Sequence, residues 1–172
     1  MKDFLQDLVK HTHTLTVLPI VKVTAYSNET TVEAVAEDRS IMLYGNTHAP
    51  VAELGECMFG MPNLNKLDLH LKCPEYKTDS NIKVVLENRN NEVVPTGLHF
   101  SNATGDYEND YRFMNADIVK EKVKRPKLKV EIVYDIVFKP SEISIQRLKH
   151  QAAANTEETV FQLSTDSNNL LF

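Results

Sequence analysis

The sequence predicts an α+β fold built on antiparallel sheet. Its predicted strands come in runs, four and then three or more, separated by short helices and not alternating with them one for one; this argues against a doubly wound parallel sheet. Hydrophobic residues make up 42% and charged residues 25% of the 172-residue chain, a composition able to bury a sizeable core. No apolar run approaches the ~20 residues that a membrane-spanning helix needs. The net charge of −5 excludes a uniformly basic nucleic-acid binder and leaves room for a local basic face.

The first helix lies in "KDFLQDLVKHTH". Phe4, Leu5, Leu8 and Val9 form one side and Asp3, Gln6 and Lys10 the other. Asp3 and Asp7 in this stretch argue against a secretory signal. Pro19 blocks continuation of the helix. "PIVKVTAY", "TTVEAVAED", "SIMLYGN" and "GECMFGM" read as four strands, with turns at Ser27–Glu29 and at Asp38-Arg39. The second helix, in "FGMPNLNKLDLHLK", has Pro62 at its start, a stripe of Leu64, Leu67 and Leu71, and Pro74 after its end. Asn63, Lys66 and His70 lie beside that stripe.

"NIKVVLEN", "EVVPTGLHFSN" and "DYRFMNADIV" then read as strands. "VKEKVKRPKLKVE" follows, with six basic residues in thirteen. In an extended segment Lys120, Lys122 and Lys124 project to one side. "VEIVYDIVF" reads as a strand, and Ser141 caps a third helix, "SEISIQRLKHQAA". Its stripe of Ile145, Leu148 and Ala152 has Ser144, Arg147 and Gln151 alongside, which matches the second helix and suggests an internal repeat. "TVFQLSTD" reads as a strand, "SNN" as a turn and "LLF" as the opening of a further strand.

Catalytic signatures are missing: the sequence holds no phosphate loop, dinucleotide fingerprint, nucleophile elbow or helical zinc histidine pair. No cofactor is expected. His11 and His13, two apart on a helix, point away from each other and would need outside ligands to hold a metal. Glu37 and Asp38 are adjacent on a strand and face opposite ways, so Asp38 reads as a turn residue. Cys57 and Cys73 lack metal or redox spacing and read as buried free thiols of a reducing compartment.

Several of these stretches, taken in order, resemble the DNA sliding clamps of the proliferating cell nuclear antigen type, viral processivity factors included. They are "VEAVAEDRSIMLYGNTHAP", "ECMFGMPNLNKLDLHLK", "NIKVVLEN", "DYRFMNADIV" and "VEIVYDIVFKPSEISIQRLKH". The resemblance implies a first clamp-like domain over residues 1–118, an interdomain connector over 119–131, more basic than the family's usual one, and a partial second domain over 132–172. It also implies antiparallel sheets with short helices on one face, and a non-enzymatic ring, a homo-oligomer that is trimeric at full length. That ring encircles duplex DNA, tethers a DNA polymerase and needs a clamp loader. The helix faces would meet backbone phosphates through Lys2, Lys10, Lys66, His70, Arg147 and Lys149. Partners would dock on the connector through Lys120, Lys122, Lys124, Arg125 and Lys127.

The resulting expectation is a viral, cytoplasmic processivity factor whose chain is truncated at its C-terminus. Two rivals are a structural or assembly protein of antiparallel β type and a small single-stranded nucleic-acid binder. The second would use Tyr107, Tyr111 and Phe113 as stacking platforms.

Overall fold

The computed structural model describes residues 1–89, 91–124, 133–134, 137–158, 160, 162, 164–166 and 169–171. It is mixed α+β, and the chain divides into two compact units, Met1–Lys127 and Leu128–Phe172.

The first unit opens with α1 (Lys2–Thr12), which buries Leu5, Leu8, Val9 and Thr12. Strands β1 (Ile20–Ala25), β2 (Thr30–Val35), β3 (Met42–Asn46) and β4 (Cys57–Pro62) form an antiparallel sheet in the order β3-β2-β1-β4. Helix α2 (Leu64–Lys72) follows β4 directly. Its N-cap, Asn63, sits in the left-handed region at φ 54°, which asparagine tolerates, and its side chain accepts from the Lys66 N–H. Strands β5 (Asn81–Arg89), β6 (Glu92–Ser101) and β7 (Glu108–Arg112) form a second antiparallel sheet in that order. A register shift between Val85 and Leu86 marks a bulge next to Pro95, a residue that cannot donate to a ladder.

Strand alternation gives both sheets an inner and an outer face. Val21, Val23, Ala34, Phe59 and Met61 of the first sheet and Leu98, Phe100 and Tyr111 of the second join one core with the buried leucines of α1 and α2. Each fully buried valine, leucine, phenylalanine or methionine among them contributes about 1.5–3 kcal/mol. The sheets meet edge to edge at one pair of residues. The Gly60 N–H donates to the Met114 carbonyl at 3.0 Å, and the Met114 N–H donates to the Gly60 carbonyl at 2.8 Å. Phe59 stacks on Phe113 beside this seam at 3.9 Å, and the Tyr111 hydroxyl donates to the Pro62 carbonyl. On the outer face the Lys22–Glu33 ion pair links β1 to β2.

The expected strand over Asp110–Val119 is corrected. β7 ends at Arg112, and α3 (Ala116–Lys122) replaces the remainder. Local capping decides this: the Asn115 side chain accepts from the Asp117 N–H, Asp117 lies in the first turn, and Lys120 and Lys122 lie in the last. Val119 and Val123, four apart, are both buried. Val119 packs on Gly60, which lies on the outer face, so α3 sits on the side of the sheet opposite α1 and α2.

In the second unit, α4 (Glu142–Ala154) is capped by Ser141, whose side chain accepts from the Ser144 N–H. The expected apolar stripe is only partly covered: α4 has no fully buried residue, Leu148 is half-buried, and Ile145 is 42% exposed. Of the expected strand "VEIVYDIVF", the described residues Val133, Tyr134, Val137 and Phe138 carry none. β8 (Ser164–Asp166) and β9 (Asn169–Leu171) form an antiparallel pair, so Leu170 and Leu171 of the expected further strand are paired, and Phe172 lies outside the described residues.

Candidate nucleic-acid interface

The solvent side of the α1–α2 layer is the surface the clamp resemblance points to. The two helices pack against one another on the inner face, and a 3-10 turn (His13–Leu15) that continues α1 also touches α2. α1 presents Asp3, Gln6, Asp7, Lys10 and His11 to solvent; α2 presents Asn65, Lys66, Leu69 and Lys72.

The six cations expected at phosphates have different environments. Lys2 Nζ donates to the carbonyls of Tyr76 and Lys77, the latter at 2.9 Å, and reaches Ser80 Oγ at 3.5 Å. It ties the start of α1 to the turn that follows α2. Lys66 Nζ donates to the Asp110 carbonyl on the open side of β7 at 2.8 Å while remaining exposed. His70 is half-buried, its ring 5.2 Å from that of Phe100. Its Nε2 is buried and has no hydrogen-bond partner among the described residues. Burial first, and then the neighbouring Lys66 charge, hold its pKa below the ordinary histidine value. Lys10 is exposed, and its ammonium has no partner among the described residues.

Arg147 and Lys149 are exposed on α4 in the second unit. Two residues apart on a helix, they are separated by about 200° and do not share a face. The structure therefore brings Lys2, Lys10, Lys66 and His70 onto one pair of helices and leaves Arg147 and Lys149 on another unit.

Three further features mark this surface. Lys72, in the last turn of α2, is a further cation, paired with Asp68 at 2.6 Å. Asp3, Asp7 and Asp68 set three carboxylates against Lys10, Lys66 and Lys72. Leu69, 61% exposed, stands near the middle of the solvent side of α2.

The expected docking segment is corrected in part. Lys120 and Lys122 lie on a helix, not on an extended strand, so they do not project to one side. Lys124 is exposed beyond the helix, and Arg125 and Lys127 lie outside the described residues. Two outer-face cavities adjoin α3. One, of about 290 Å³, is lined by Ile20, Val35, Lys122 and Lys124. The other, of about 510 Å³, lies between the start of α3 and the second sheet and is lined by Val94, Pro95, Arg112 and Phe113.

The remaining residues singled out in the sequence have structural placements. Tyr111 is 1% exposed and cannot serve as a stacking platform. Asp38 Oδ1 accepts from the Ser40 N–H and hydroxyl at 3.0 and 2.7 Å, which closes the turn and lowers the Asp38 pKa. Cys57 and Cys73 are free and half-buried, and burial pushes the Cys57 thiol up to about 11. Among the described residues no helix is long and apolar enough to cross a membrane. No protein-family model matches the chain, and no curated protein matches it.

Proposed function

We propose that this chain is a DNA polymerase processivity factor of the sliding-clamp type, non-enzymatic and acting in the cytoplasm. In that role it encircles duplex DNA as a homo-oligomeric ring, placed there by a clamp loader, and tethers a polymerase. One observation carries the reading: α1 and α2 together cover one face of two antiparallel sheets that are joined edge to edge at Gly60–Met114. In that role the helix layer faces the duplex and the sheets lie outside, where α3 is available to partners. Lys10, Lys66 and Lys72 supply loose phosphate contacts, which carry no sequence information and allow sliding.

The test is topological. Assembled on circular duplex DNA, the protein should stay with the circle through gel filtration and leave when the circle is linearised. Loss from both forms at equal rates would remove the encircling mechanism.

The runner-up reading is a structural or assembly protein whose helix layer meets protein, with exposed Leu69 as the side chain that tests it. Oligomerisation that Leu69→Ala abolishes, together with indifference to DNA topology, would select it.

A further inference from the structure

The larger outer-face cavity, of about 510 Å³, lies over the second sheet beside the start of α3. Strand alternation puts Val85, Glu87 and Arg89 of β5, Glu92 and Val94 of β6 and Arg112 of β7 on that face. In the cross-strand row Val85–Gly97–Arg112 the central glycine supplies no side chain, so the floor is low there. Val85, Val94, Pro95 and Phe113 line it and are each half-buried. Most of its charged residues already have partners. Glu87 pairs with Arg89 at 2.8 Å and Asp117 with Lys120 at 3.8 Å, and Asp110 Oδ1 lies 2.9 Å from His99 Nδ1. Glu92 and Arg112 are exposed and have no charged partner among the described residues.

We propose that this groove binds an extended peptide segment of another protein, with an acidic residue at Arg112, a basic residue at Glu92 and apolar residues between them. Glu92 precedes Gly97, the cross-strand partner of Arg112, by about 16 Å of strand at the usual rise per residue. That separation is about five residues of extended chain, and it is wider than the spacing of charges in a small metabolite. The apolar floor between the two charges supplies the area to bury, and the charges set the polarity of the bound chain. The carboxylates of Glu87, Glu92, Asp110 and Asp117 outnumber the cations of Arg89, Arg112 and Lys120, which disfavours a polyanion in this groove. The face is the one opposite the α1–α2 layer, so the proposal does not depend on the duplex-DNA reading.

Fluorescence anisotropy at low salt tests it, with end-blocked fluorescent peptides in which an aspartate and a lysine flank about four apolar residues, made in both chain directions. The native chain should bind one of the two saturably. Arg112→Glu should weaken that binding about threefold to tenfold, and replacing the peptide's aspartate by lysine should restore it. Glu92→Lys should act in the same way at the other end, with recovery when the peptide's lysine becomes aspartate. Both positions are exposed, so each variant should keep the native fold, which thermal unfolding checks. Absence of saturable binding by the native chain would overturn the proposal. So would binding that both charge reversals leave unchanged. Self-association that Arg112→Glu abolishes, with neither peptide bound, would make a second copy the occupant and overturn it as well. Retention on circular DNA bears on none of these results, so the two readings fail separately.

Discussion

Gly60 and Val119 touch so closely that a β-carbon built on Gly60 would lie 2.8 Å from Val119 Cγ2 and 3.0 Å from Met114 Cβ. The absent side chain is what lets α3 lie on the outer face beside the seam between the sheets. Gly60→Ala is expected to destabilise the first unit by about 1–3 kcal/mol, the usual cost of overpacking. Urea unfolding measures it. Adding Val119→Ala should recover part of that loss, since the clash is with Val119. A double variant whose losses simply add would show that the two residues do not compete for the same space.

Lys2 provides the second prediction. Its ammonium has three oxygen partners at the turn after α2, so Lys2→Met keeps the stem and loses only the charged hydrogen bonds. The expected cost is about 1–2 kcal/mol, with faster amide exchange through the turn after α2 and no change in affinity for duplex DNA. A DNA affinity that falls while stability holds would return Lys2 to the phosphate contacts.

Much of the first unit was legible in the sequence because its signals were local and periodic. The leucines of α2 at 64, 67 and 71 and the alternation of "IVKVTA" led to elements that the fold contains. α3 was missed because Tyr111 and Phe113 alternate convincingly, while the cap at Asn115 and the Val119–Val123 spacing sit just beyond them. The helix layer was legible as a surface, but the partners of its cations were not. The Lys2 acceptors lie more than seventy residues away and the Lys66 acceptor 44 residues away, and no periodicity encodes such a backbone carbonyl. The ring of His70 lies against Phe100, which belongs to the second sheet and is 30 residues away in the chain.

His70 gives the third prediction, a pH dependence. Its native pKa lies below the ordinary value of about 6.5 that it regains on unfolding. Between those two values the unfolded chain holds the proton more often than the folded one, so stability rises with pH there. The contribution is therefore intact above about pH 6.5 and declines as the pH falls toward the native value. His70→Leu should remove that decline and should not weaken the protein at acid pH, because it also replaces a buried nitrogen that has no partner among the described residues. Urea midpoints of both proteins across this range are the measurement. Parallel curves would mean that another group causes the acid loss.

The fourth prediction asks whether the helix layer, and not overall charge, meets DNA. Lys10 is exposed on α1 and unpaired among the described residues. Lys83 is exposed on β5 opposite His99, and that position belongs to the outer face, away from α1 and α2. Lys10→Glu and Lys83→Glu change the net charge equally, and at exposed sites each should alter stability by no more than about 0.5 kcal/mol. Long-range attraction through the overall charge is screened beyond about 8–10 Å at physiological ionic strength, so only a charge near the phosphates should count strongly. Lys10→Glu is therefore expected to weaken duplex binding and to flatten its salt dependence by about one contact, while Lys83→Glu leaves both nearly unchanged. Equal losses from the two substitutions would show that binding follows total charge and would detach it from the helix layer. A loss confined to Lys83→Glu would move the interface to the outer face of the second sheet.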